Sequence, residues 1–241
     1  MRLVPRAAPL VALAVLAASC FSIAAPAADT GNHVWRGVMG RVGAVGSFRL
    51  ASSGTATTRQ LLGTLLTDAV TVGAPPGTGE ITVVGTWNTT SAEMTLSSST
   101  HAGVLSATAL SGQIFGEYTG FSTGPGGIAG FLVGELGSID AYCGSASTLG
   151  GAAPRLFSFA VFTGQIAGLT DDAGSLRRLV GAVLGGTVTA NGVTGEPVSF
   201  SGPEFLPSFT ASGAMNSTMA GGTFDAGGTT GTWLASKCRA I

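Results

Sequence analysis

Leu62-Gly63-Thr64-Leu65, Val70-Thr71-Val72, Thr78-Gly79-Glu80, Gly116-Glu117-Tyr118 and Gly127-Ile128-Ala129-Gly130-Phe131 form an ordered series of short blocks. Val180-Gly181-Ala182-Val183, Val188-Thr189-Ala190, Thr194-Gly195-Glu196, Gly222-Thr223-Phe224 and Gly228-Thr229-Thr230-Gly231-Thr232-Trp233 repeat the series in the same order. The offset shrinks from 118 to 101 residues along the chain, as it would if a second copy had lost loop residues opposite Thr89–Gly103. A self-similar period of this length makes the fold a tandem one. The reading places a first β repeat over 28–136 and a second over 137–241.

Each copy is all-β by pattern. Short apolar/polar alternations recur between Gly, Pro, Asn or Asp, and Ile81-Thr82-Val83-Val84-Gly85-Thr86-Trp87 alternates cleanly, with one face buried and the other wet. Asn191-Gly192, Ala226-Gly227-Gly228 and Pro75–Gly79 carry the residues that tight turns require. Asp171–Val183 is the one stretch that could pass for a helix, and it fits a loop running into a strand equally well. Glycines inside the strands (Gly63, Gly85, Gly116, Gly130, Gly181, Gly222, Gly231) permit the sharp bends of a small barrel. The expectation is two tandem homologous antiparallel β-barrel or sandwich modules of about eight strands each. One barrel shared by both copies, a parallel solenoid and a membrane-embedded barrel are the alternatives. Short strands and only two tyrosines argue against the last.

The N-terminus reads as an export signal over 1–27: Arg2 and Arg6 precede an apolar Ala7–Ala18 too short to span a bilayer. Ala25-Pro26-Ala27 offers an ordinary small-x-small cleavage. Leu16-Ala17-Ala18-Ser19-Cys20 offers a lipobox, with Cys20 as the lipidated residue, but Ala17 stands where Leu, Val or Ile is usual. The soluble outcome is therefore preferred, and membrane attachment would come only through that anchor. The remaining cysteines, Cys143 and Cys238, bracket the second copy, and in an exported chain they are expected to pair.

Removing Arg2 and Arg6 takes the basic residues from 11 to 9 against 12 acidic ones, moving the formal charge from −1 to −3. Lys237 is the sole lysine. No basic patch exists to neutralise phosphates, so nucleic acid is excluded as a partner.

Catalytic sets fare poorly. Gly120-Phe121-Ser122-Thr123-Gly124 has the form of a nucleophile elbow, yet His33 and His101 both precede it and no helix follows. The two histidines are read as solvent-facing, and Asp171-Asp172 as a turn opening and not a calcium loop. No metal site and no cofactor is implied. Trp87, Trp233, Tyr118 and Phe224 are read as barrel packing. Asn88-Thr89-Thr90 and Asn216-Ser217-Thr218 match the glycosylation pattern, which is common by chance.

The runs Gly116-Glu117-Tyr118-Thr119-Gly120 with Gly126-Gly127-Ile128-Ala129-Gly130-Phe131, and Gly222-Thr223-Phe224 with Gly227–Trp233, resemble the closing hairpin of transferrin-binding-protein-like β-barrels. The resemblance implies bacterial surface lipoproteins with eight-stranded barrels, often in tandem, many of which bind host proteins or solutes. It covers about thirty residues per copy. The family's Phe-Tyr-Gly-Pro run is missing, and Trp233-Leu234-Ala235-Ser236-Lys237 only echoes its Phe-Gly-Ala-Lys ending. No binding residues carry over.

The functional expectation is an exported, non-enzymatic binding or surface protein whose ligand is an unknown protein or small solute. One alternative is a secreted hydrolase using paired carboxylates, with Glu80 and Glu117, or Glu196 and Glu204, as the pairs to inspect. The other is a purely structural envelope component.

Overall fold

The computed structural model describes residues 32–41, 44–71, 79–120, 129–137, 139–148, 155–172, 175–202 and 209–238. The leader with Cys20, the Pro75 turn, Phe121–Gly124 and Glu204 lie outside these residues.

The first repeat is one closed antiparallel barrel of eight strands: β1 (Val34–Arg41), β2 (Ala44–Ser53), β3 (Thr58–Thr71), β4 (Glu80–Asn88), β5 (Glu93–Ser97), β6 (Gly103–Leu110), β7 (Gln113–Gly120) and β8 (Ala129–Leu136). β8 pairs back onto β1, from Trp35 opposite Leu136 to Arg41 opposite Gly130. The second repeat comprises β9 (Asp140–Thr148), β10 (Arg155–Phe162), β11 (Gln165–Asp172), β12 (Ser175–Val183), β13 (Val188–Ala190), β14 (Val193–Gly202), β15 (Phe209–Met215), β16 (Met219–Ala226) and β17 (Thr229–Lys237). It closes through β12 on β14 and β17 on β9, again with eight wall strands, while β13 is appended to β14 outside the ring. All-β tandem modules are thus what the chain forms, each as a barrel.

Inward-facing side chains fill both lumens. Trp35, Met39, Phe48, Leu50, Leu65, Val83, Met94, Leu105, Ile114 and Tyr118 are among those packing the first. Tyr142, Phe157, Phe159, Leu179, Phe200, Phe224 and Trp233 are among those packing the second. The outward positions of the first barrel's clean alternations, such as Thr82, Thr86, Thr95 and Ser106, are exposed and polar. They alternate in space with exposed apolar residues such as Leu62, Val84 and Val104, so the outer wall is mixed, while the packed apolar lumens differ from the polar interior of a membrane barrel.

Strand pairing fixes the true register of the repeat. Gly37 lies opposite Phe48 and Trp35 opposite Leu50; Gly144 lies opposite Phe157 and Tyr142 opposite Phe159. Carrying the register across each ring matches Gly63 with Gly168, Gly85 with Gly181, Gly116 with Gly222 and Gly130 with Gly231. In both barrels the last of these glycines lies under an aromatic ring of the neighbouring strand, Tyr118 over Gly130 and Phe224 over Gly231. Such a ring shields backbone that has no side chain of its own.

The closing-hairpin blocks of the sequence are therefore equivalent, but the front blocks are not. Gly63 sits on the third barrel strand and Gly181 on the fourth, and Glu80 and Glu196 sit on the fourth and fifth. Glycine flanked by apolar residues occurs on several strands of each barrel, so short-block matching slipped by a strand. Nor is the second copy merely shortened: it carries β13 between its fourth and fifth wall strands.

The barrels pack directly on one another. Val38 and Val133 from the outer wall of the first meet Ala160 and Phe162 of the second, and the Ser158 hydroxyl donates to the Met39 carbonyl at 3.5 Å. This explains why Leu156-Phe157-Ser158-Phe159-Ala160 is buried at every position: one face lines a lumen and the other lines the seam. Cys143 and Cys238 are bridged, with Cα atoms 5.1 Å apart, and the bridge packs beside Leu66 of the first barrel.

Candidate functional site

With both lumens filled, concave surface has to be sought elsewhere. The second barrel keeps a slot of only about 10 Å³ beside Arg155, Phe157, Thr170, Phe209 and Phe224. That is about the minimum for one water. Between the barrels, by contrast, lies an open groove of about 1040 Å³. Its floor is the outer wall of β5–β8, where strand alternation presents two cross-strand rows: Glu93, Thr108, Phe115, Val133 and Thr95, Ser106, Glu117, Phe131. Its far wall comes from β11 and β12, through Leu169, Leu176, Arg177 and Arg178.

Phe115 and Phe131 are 38% and 42% exposed, the only aromatic rings among the exposed large apolar side chains of the described residues. They flank Glu117, Phe115 two residues along β7 on the same face and Phe131 directly across on β8. The Arg178 guanidinium lies over the Phe115 ring, 5.6 Å from its centroid, within cation–π range. Glu93 accepts from the Ser91 hydroxyl at 3.1 Å. Glu117 has no hydrogen-bond or ion-pair partner among the described residues.

The carboxylate pairs proposed from sequence are not assembled. Glu80 and Glu117 lie three strands apart around the wall, and Glu117 is level with Thr86, six residues along β4 from Glu80, so the two are roughly 24 Å apart at ordinary strand spacing and rise. Glu196 is exposed on β14, and Glu204 lies outside the described residues. The groove brings Glu93 and Glu117 onto one surface instead, two strands apart and offset by two residues, about 12 Å between backbone positions. Glycosidase carboxyl groups sit about 5–9.5 Å apart, measured between side-chain ends and not between backbone positions. Sequence reasoning missed Glu93, Phe115 and Phe131; alternation along the strands puts them on the wet face without marking that face as a binding one.

His33 corrects a solvent-facing expectation. It is half-buried at one mouth of the first barrel, stacked on Trp35 at 5.5 Å and edge-on to Trp87 at 5.2 Å. Arg59, buried to 3%, caps the Trp87 ring and donates from Nη1 to His33 Nδ1 at 3.2 Å. Arginine only donates, so Nδ1 must accept and the ring must be neutral. Burial lowers the His33 pKa below its ordinary 6.5. Among the described contacts Arg59 is the charged group facing it, with Trp35, Trp87 and Ser52 as neutral neighbours. The unfolded chain therefore binds a proton that the folded chain resists, and stability falls as pH drops from about 6.5 toward the folded pKa, then levels. Melting temperature measured from pH 8 to 5 is expected to decline below 6.5, and H33Q is expected to flatten that decline; an equal decline in the variant would assign it to other groups.

The remaining sequence candidates are structural. Asn88 and Asn216 cap their own hairpins, accepting from the Thr90 and Ser91 amides and from the Thr218 and Met219 amides. The Tyr142 hydroxyl donates to the Asn216 carbonyl at 2.6 Å, and burial, with Asp140 and Glu196 adding charge repulsion, raises its pKa to about 12. His101 bonds to Thr100 in its own loop. Among the described residues no cluster of three or more His, Cys, Asp or Glu side chains could hold a metal.

Comparison with known proteins supplies little. No family model matches the chain, and no curated protein sequence matches it. Among solved structures, kievitone hydratase from Nectria haematococca aligns over 86% of this chain and 89% of its own at 9% identity, with a TM-score of 0.27. A likeness that low carries no argument.

Proposed function

We propose that this protein is an exported, non-enzymatic binding module that takes its ligand in the groove between two rigid barrels. The observation that carries the reading is the contrast between packed lumens and a groove of about 1040 Å³ lined by exposed phenyl rings and polar side chains. Pockets of that volume with a few placed polar groups are the usual small-ligand sites. The bridge between Cys143 and Cys238 supports an oxidising, exported setting. The resemblance of the closing hairpins to transferrin-binding-protein-like surface barrels points the same way. Anchoring through Cys20 remains the minor route, and C20S with fatty-acid labelling distinguishes it from simple cleavage after Ala27.

The test compares immobilised protein with a groove-filled variant, T95W/S106W, both positions being outward-facing and exposed. Each is incubated with spent culture medium, washed, and its extract read by mass spectrometry. A compound enriched on the wild-type chain and lost from the variant is expected. Equal retention on both, or none on either, contradicts the reading.

A further inference from the structure

The groove described above is a binding site by proposal; its chemistry says more. Along its floor the order Phe115, Glu117, Phe131 places a carboxylate between two exposed ring faces, and that carboxylate is paired with nothing among the described residues. A second carboxylate, Glu93, stands two strands away, and Thr95, Ser106 and Thr108 supply hydroxyls between them. The lining carries two carboxylates and two guanidiniums, Arg177 and Arg178, with hydroxyls that can donate or accept, so the local pairing of Glu117 with the phenyl faces decides the ligand's charge. Of these two arginines, Arg178 is stationed over Phe115. That contact shows that a phenyl face in this groove is presented to positive charge, and it leaves the Phe131 face, directly across from Glu117, unclaimed by a cation among the described residues.

We infer that the groove recognises a small organic cation: an amine or quaternary ammonium on an apolar body, its charge against Glu117 and the Phe131 face and its body along Phe115, Val133 and Leu176. The inference rests on the groove being the ligand site. A charged hydrogen bond to the carboxylate and attraction to the ring quadrupole both act on the same cationic atom, and each strengthens as the ligand displaces water. Arg178 opposes the cation and does not anchor it, being a like charge on the facing wall. That assignment gives two substitutions opposite signs. E117Q removes the attraction, whereas R178Q removes a repulsion.

The experiment is an amide-NMR titration of the full mature chain with three probes of one shape: phenethylamine, the neutral 2-phenylethanol and the anionic 3-phenylpropanoate. Phenethylamine is expected to shift β5–β8 and β12 amides at the lowest concentration. E117Q is expected to weaken it roughly tenfold, R178Q to strengthen it severalfold, and E80Q, outside the groove, to leave it unchanged. Groove shifts from the neutral or anionic probe equal to or stronger than those from the amine would overturn the cation assignment while keeping the groove as the site. Weakening by R178Q would overturn it in favour of an anion anchored on Arg178. No groove shift with any probe at millimolar concentration would overturn both.

Discussion

Replacing Cys143 and Cys238 together by serine is expected to destabilise the second barrel by roughly 4–5 kcal/mol in the chain-entropy model. The bridge spans 95 residues and joins the barrel's first strand to the residue that follows its last. Cross-linking so distant a pair removes much of the unfolded chain's freedom, and measured effects usually reach only part of that ceiling. The first barrel has no cysteine among its described strands and closes by β1–β8 pairing alone. Urea unfolding should therefore separate into an early transition of the second barrel and a late one of the first. The contact of the bridge with Leu66 predicts a small secondary loss in the first barrel. Unchanged unfolding in the double-serine chain would show that the β9–β17 ladder closes the ring unaided.

Gly85→Val and Gly181→Val are expected to cost about 3 kcal/mol or more each, the severe end of overpacking. These two glycines occupy the same place in the two barrels, on the fourth wall strand and facing the lumen. A Cβ on Gly85 would strike the Thr95 carbonyl oxygen and lie 2.7 Å from Leu96 Cα; one on Gly181 would strike the Ser199 carbonyl oxygen and lie 2.6 Å from Phe200 Cα. Backbone cannot give way as a side-chain tip can. Gly40→Ala is the control, since its nearest neighbours are leucine and valine methyl groups at 3.4–3.5 Å, and it should cost under about 1 kcal/mol. Equal, small losses in all three variants would mean that the lumen has room the packing denies.

Those glycines also show what was legible in the sequence. Residues with a single physical reason were read correctly: Asn191-Gly192 turns with both φ values positive, Gly227-Gly228 does the same, and the cysteine pair bracketed a repeat it does close. Interior glycine has the same reason on several strands, so it fixed the barrel class but not the register, and Gly63 was matched to Gly181 in place of Gly168. β11 carries little local signal, because Gln165-Ile166-Ala167-Gly168-Leu169-Thr170 lacks strong β-branched alternation; its place is set by pairing with β10 and β12. The groove was the least legible part. It exists only where two walls meet, and nothing local in Phe115-Gly116-Glu117 marks the wet face as a binding face rather than a solvated one. Leu156–Phe162, apolar except at Ser158, is covered on both sides, one face lining the second lumen and the other the seam between the barrels.

The central claim, that apolar space lies between the barrels and not inside them, can be read from a crystal of the mature chain pressurised with xenon, which enters apolar cavities that water leaves empty. The account predicts no xenon among Trp35, Phe48, Trp87 and Tyr118 or among Phe157, Phe159, Phe200 and Trp233, and it places any site against Phe115, Phe131 and Leu176. Xenon bound within either lumen would contradict it.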